Sequence, residues 1–98
     1  MEHLKILKKS HTFNEFDIQL EEWTWDTMPT EYVIGAYPKG NWRSRFRAWI
    51  SFDNFKTANQ TFFKLETGLI SVLDLDFVTM TSGGRQVPMK SKLKHNDD

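Results

Sequence analysis

The chain has 98 residues, no cysteine, and 13 basic side chains balanced by 13 acidic ones. That length fits one domain, and the missing cysteines exclude disulfides and thiolate zinc sites. Neutral overall charge excludes nucleic-acid binding by bulk attraction, so any such case must come from local segregation of charge. Segregation is present. Residues 14–31 carry Glu15, Asp17, Glu21, Glu22, Asp26 and Glu31 without a Lys or Arg, whereas residues 39–47 carry Lys39, Arg43, Arg45 and Arg47 without an acid.

Eight Phe, four Trp and two Tyr supply enough large apolar surface for a core without covalent staples. No stretch reaches the ~20 apolar residues that cross a bilayer. Leu4, Ile6 and Leu7, set among Lys5, Lys8 and Lys9, are too short a run for a signal-peptide core. A cytoplasmic protein without membrane contact is expected.

In chain order, His3 to Lys9 reads as a short strand. From Phe16 the run Phe-Asp-Ile-Gln-Leu-Glu alternates apolar and polar, as a half-buried strand does. Trp23 and Trp25 fall on the opposite face from Phe16, Ile18 and Leu20, which predicts a bulge near Glu21-Glu22. A helix competes for residues 13–25: Thr12 and Glu15 fit a capping box, and Phe13, Phe16, Leu20 and Trp23 recur at helical spacing. The content of Phe, Ile, Trp and Thr favours the strand. Asp26 to Thr30 is a turn, Glu31 to Tyr37 a strand, and Pro38-Lys39-Gly40-Asn41 closes a hairpin. Trp42 to Phe52 then alternates, with Trp42, Ser44, Phe46, Ala48, Ile50 and Phe52 on one face. Arg43, Arg45, Arg47, Trp49 and Ser51 share the other.

Thr57 and Gln60 form a capping box that predicts a helix over about residues 58–67. Ala58, Phe62 and Leu65 make its buried stripe, and Gly68 stops it. So short a helix needs a sheet beneath it. Leu69 to Met80 reads as a further strand carrying Asp74 and Asp76 on one face, and residues 83–98 as a flexible, basic tail. The expected fold is therefore α+β: an antiparallel β-meander of three to four strands, one short helix on one face, then the strand at about 69–80. The domain spans residues 1–82. The expected core is Ile18, Leu20, Ile34, Phe46, Ala48, Ile50, Phe62, Leu65, Leu73 and Phe77.

No catalytic residue, metal site or cofactor emerges, and an enzyme is not expected. His3, His11 and His95 are dispersed, and no Gly-x-Ser-x-Gly is present. Gly83-Gly84-Arg85 lacks the Lys-Ser/Thr of a phosphate loop. Asp74 and Asp76 are two carboxylates of the kind that can hold a cation, but solvated charges that deter sheet aggregation explain them better. Arg85, Lys90, Lys92 and Lys94 make the tail solubilising, or weakly attractive to nucleic acid.

Two binding readings remain. In the first, Arg43, Arg45 and Arg47 project in parallel about 6.5 to 7 Å apart along a strand. That spacing matches neighbouring phosphates, with Trp49 placed to stack on a base and Lys39 extending the basic run. Its structural counterpart has Asp17, Glu21 or Glu31 neutralising the arginines across strands. In the second, Trp23 and Trp25 with Glu21 and Glu22 form a surface for a protein partner, as in a small inhibitor or assembly subunit. Its counterpart has the two indoles covering opposite sides of the sheet.

The stretch Tyr37 to Glu66, with Trp42-Arg43, Arg45 and Phe55-Lys56-Thr57, is loosely similar to the small N-terminal arm-binding domains of tyrosine recombinases. Those domains dock a three-stranded sheet in a DNA groove, and the resemblance implies that role for Arg43, Arg45 and Arg47. It covers about a third of the chain, with an acidic strand before the hairpin and an apolar one after the helix. A nucleic-acid-binding accessory module is the first expectation, a protein-interaction module the second.

Overall fold

A computed structural model describes residues 3–12, 16–38, 40, 47–80 and 83–89. Among them, six strands form one antiparallel sheet: β1 (His3–His11), β2 (Phe16–Thr24), β3 (Glu31–Pro38), β4 (Ala48–Phe52), β5 (Val78–Met80) and β6 (Gln86–Pro88). Each strand pairs with the next in sequence. A 12-residue helix, α1 (Phe55–Glu66), and a single 3-10 turn over Val72–Asp74 connect β4 to β5. The class is α+β, with more strands than the sequence suggests.

Residues 16–24 are extended, so the strand prevails over the helix that Thr12 and Glu15 would cap. Pairing of β2 with β3 runs unbroken from Phe16↔Pro38 to Trp23↔Glu31. The expected bulge at Glu21-Glu22 is therefore absent. What looked like a shift of phase is large side chains on both faces of one regular strand. The irregularity lies instead in β1, between Ile6 and Lys8. It leaves Leu7 as the extra residue, packed against the core.

The register explains the core. Ile18↔Ala36 and Leu20↔Ile34 pair between β2 and β3, and Ile34↔Ile50 and Ala36↔Ala48 between β3 and β4. Ile18, Leu20, Ile34, Ala36 and Ala48 meet Ala58, Phe62 and Leu65 of α1, with Val72 and Phe77 closing the cluster. Ile50 packs at its margin. Leu73 is 43% exposed, so it drops out of the expected core. Phe46 lies outside the described residues.

Two boundaries differ from expectation for identifiable reasons. The helix starts three residues early because Asn54, extended at φ −140°, caps it: its Oδ1 accepts the Thr57 N–H at 2.8 Å. Thr57 thus sits inside the first turn, where its N–H needs a cap and cannot be one. Asn54→Ala is expected to cost about 1 kcal/mol and Thr57→Ala less than about half of that, read from urea unfolding midpoints. Equal losses would mean that the cap is misassigned. At the other end Thr67 caps the helix and Gly68 follows at φ +81°, as its sequence position suggests.

The run from Leu69 is not one strand. Ser71 Oγ accepts the Leu73 N–H at 3.2 Å while Asp74 Oδ2 accepts the Ser71 N–H at 2.8 Å. This reciprocal cap winds Val72–Asp74 into a turn and commits the Asp74 carboxylate, so Asp74 and Asp76 do not pair on a strand face. Within this run only Val78–Met80 forms a strand. The sheet also continues past residue 82: Val78↔Pro88, Thr79↔Val87 and Met80↔Gln86 form a hairpin, and the Met89 N–H donates to the Phe77 carbonyl at 2.9 Å. Gly83 and Gly84 are thus part of a strand connection, with Gly84 at φ +83°, and the expected tail begins too early. Residues 90–98, with Lys90, Lys92, Lys94 and His95, lie outside the described residues. No described helix is long and apolar enough to cross a membrane.

Candidate functional site

With α1 on one face of the sheet, the alternate residues form the opposite face: Gln19, Glu21 and Trp23 from β2, Val33, Gly35 and Tyr37 from β3, Trp49 and Ser51 from β4. At its centre is a carboxylate with no solvent exposure, that of Glu21. Burying a charge in this way is costly unless every lone pair is met. Here four donors meet it. Arg47 Nη1 reaches Oε2 at 2.9 Å and Nη2 reaches Oε1 at 3.4 Å, while Gln19 Nε2 donates to Oε2 at 2.7 Å and Trp23 Nε1 to Oε1 at 3.0 Å.

Arg47 has further support. Its Nη1 also donates to the Tyr37 hydroxyl at 2.7 Å, and its guanidinium carbon lies 5.6 Å from the Tyr37 ring centre. Its carbonyl accepts from the buried Thr79 hydroxyl at 3.2 Å, tying the segment before β4 to β5. Gly35 lies beneath the ion pair. A Cβ there would come within 3.3 Å of Arg47 Nη1 and 3.4 Å of Glu21 Oε2. A glycine in the middle of a strand is explained by this close approach. Burial alone pulls the Arg47 pKa down, but the hydrogen bond and charge of Glu21, helped by the Tyr37 hydroxyl, outweigh it and leave the value raised. Arg47 stays cationic.

This geometry redistributes the basic strand. Arg47 does not present a free guanidinium; it is held by Glu21, one of the three acids expected as cross-strand partners. Asp17, the second, instead accepts the Gly40 N–H through Oδ2 at 2.6 Å and anchors the turn after β3. Glu31, the third, lines a surface depression. Lys39, Arg43 and Arg45 lie outside the described residues. Trp49 is half-buried beside Arg47.

The acidic and aromatic group expected at a partner surface is also divided. Glu21 is sealed in the buried cluster. Glu22 points to the other face, where it pairs in register with Tyr32. Burial, then the charge and hydrogen bond of Glu22, raise the pKa of the Tyr32 phenol. Trp23 and Trp25 stay together. They do not cover opposite sides of the sheet but stack, ring centres 5.8 Å apart and planes 17° from parallel, each half-buried.

Two adjoining depressions border these indoles. The larger, about 600 Å³, is lined by Trp25, Met28, Pro29, Thr30, Glu31, Ser51, Phe52 and Asp53. The smaller, about 190 Å³, is lined by Trp23, Trp25, Glu31, Val33, Arg47, Trp49 and Ser51. Trp25, Glu31 and Ser51 belong to both. Met28 is 55% exposed, so a thioether stands open at the rim. Sequence reasoning missed Gln19, Gly35 and Tyr37, although strand alternation places them with Glu21. It also missed Met28, Phe52 and Asp53, which only the meeting of two turns brings together.

Among the described residues no three His, Asp or Glu side chains are grouped to hold a metal. Phe55-Lys56-Thr57 forms the first turn of α1, and the sheet around it has six strands where arm-binding domains have three. The chain has no significant match to any protein-family model, curated protein or solved structure.

Proposed function

We propose that the chain is a protein-interaction module whose helix-free sheet face, centred on Trp23 and Trp25, receives an extended segment of a partner protein. The observation that carries this reading is the stacked indole pair bordering two adjoining depressions. Aromatic side chains half-buried in a polar rim are the usual anchors of protein interfaces, because they bury much area while losing little side-chain freedom. The buried ion pair beneath stiffens that surface, since Trp23 is fixed through its own N–H to Glu21. Nucleic acid is the weaker reading because Arg47, the described member of the basic ladder, is committed within the fold.

Selection from a displayed peptide library against the intact protein tests this. Selected peptides are expected to lose about tenfold or more in affinity for the Trp25→Ala/Met28→Ala variant, with its thermal unfolding unchanged. Peptides that bind both proteins equally would refute the docking face. Oligonucleotide binding that falls steeply with salt, in the absence of peptide binding, would replace it with the nucleic-acid reading.

A further inference from the structure

We infer that the larger depression holds a cationic side chain of the partner, an arginine or lysine, between its aromatic and acidic walls. This deepens the docking-face reading and rests on it. The walls divide by chemistry. Trp25, Phe52 and Met28 supply a π-face, a second ring and a polarisable thioether, while Glu31 and Asp53 supply carboxylates. None of the described residues lining it is a Lys or Arg.

Those carboxylates have capacity to spare. Asp53 Oδ1 accepts from Asn54 Nδ2 at 3.2 Å, which leaves most of its acceptor sites open. Glu31 is half-buried at the start of β3, where it pairs in register with Trp23, and it lines both depressions. A wholly apolar occupant would strip water from both groups and return nothing, an unfavourable exchange. A cation replaces that water with charge-assisted hydrogen bonds and gains the indole face as well. Guanidinium suits the arrangement best, because its flat fork can stack on a ring while donating at its edge to a carboxylate.

The neighbouring depression sharpens the choice. It shares Glu31 but adds Trp23, Val33, Trp49 and an Arg47 already paired with Glu21, and it lacks Asp53, so its wall is more apolar and less acidic than that of the larger one. A bound segment therefore has a direction. Its cationic residue lies at the Asp53 end and its apolar residue at the Trp49 end.

The experiment titrates the intact, isotopically labelled protein with three blocked pentapeptides, Gly-Gly-X-Gly-Gly, in which X is arginine, citrulline or norleucine. Citrulline keeps the shape of arginine without its charge. The Trp25 indole N–H resonance is expected to shift saturably, with the arginine peptide about fivefold tighter than citrulline. In Glu31→Gln/Asp53→Asn that preference should vanish, while unfolding by circular dichroism is unchanged. Equal binding of arginine and citrulline peptides, or no shift with arginine, would overturn the inference. Preferential norleucine binding at the same indole would overturn it too, yet leave the docking face standing as an apolar one. The displayed-peptide result decides that face separately.

Discussion

Arg47→Met is expected to remove about 3–5 kcal/mol of folding stability near neutral pH. The variant keeps an unbranched apolar stem but withdraws both guanidinium donors from a carboxylate that has no contact with solvent. Gln19 and Trp23 cannot compensate, since each already donates once to Glu21. An exposed ion pair at the same distance would contribute no more than about 1 kcal/mol. The size of the loss therefore reports burial. Placing Glu21→Gln in the same chain should recover most of it, because a neutral amide no longer leaves a buried charge unmet. Urea unfolding of the two single variants and the double variant closes the cycle. A loss below about 1 kcal/mol for Arg47→Met would show that water reaches Glu21.

Phe62→Ala is expected to cost about 3–5 kcal/mol, whereas Phe63→Ala should stay within about 0.5 kcal/mol of the parent. The two rings are neighbours in sequence on α1, but Phe62 is 1% exposed and Phe63 56%. Phe62 packs with Ala58 and Leu65 on Ile18, Leu20 and Ile34, and its removal leaves a void that the stiff sheet cannot collapse around. Chemical unfolding of both variants under one condition compares them directly. Similar losses at the two positions would mean that the helix is rotated from the described packing.

Much of this arrangement can be read from residue order alone, and the exceptions share a cause. The alternation in residues 16–20 and 48–52 places the same side chains toward the helix that the structure does, because a single apolar face imposes a strict period of two. Ala58, Phe62, Leu65 and Gly68 mark the helix for a similar reason. Residues 69–80 mislead because apolar density resembles a strand, while the cap between Ser71 and Asp74 rests on two small polar groups that density ignores. The helix start misleads likewise, since Asn54 outranks Thr57 only by its extended backbone.

At the candidate site, Glu21 was among the plausible partners for the basic strand. Choosing it over Asp17 and Glu31 required the register of three strands and knowledge of which face each residue takes. Glu21 and Glu22 are neighbours in sequence, yet they end on opposite sides of the sheet with different partners. The larger depression was less accessible still. It exists because residues 25–31 and 51–53 meet in space, and nothing local to either segment announces the other.

The uninterrupted meander also bears on how the sheet assembles. When each strand aligns beside its immediate predecessor, every new pairing closes only a modest loop, so the entropy of chain closure is met in small instalments. Sheets whose strands are exchanged between remote parts of a chain have no such route, and they fold slowly for that reason. The one wide span here joins β4 to β5, and α1 fills it with contacts of short sequence range. This topology thus favours growth from any early hairpin outward, with little need for a search among distant pairings.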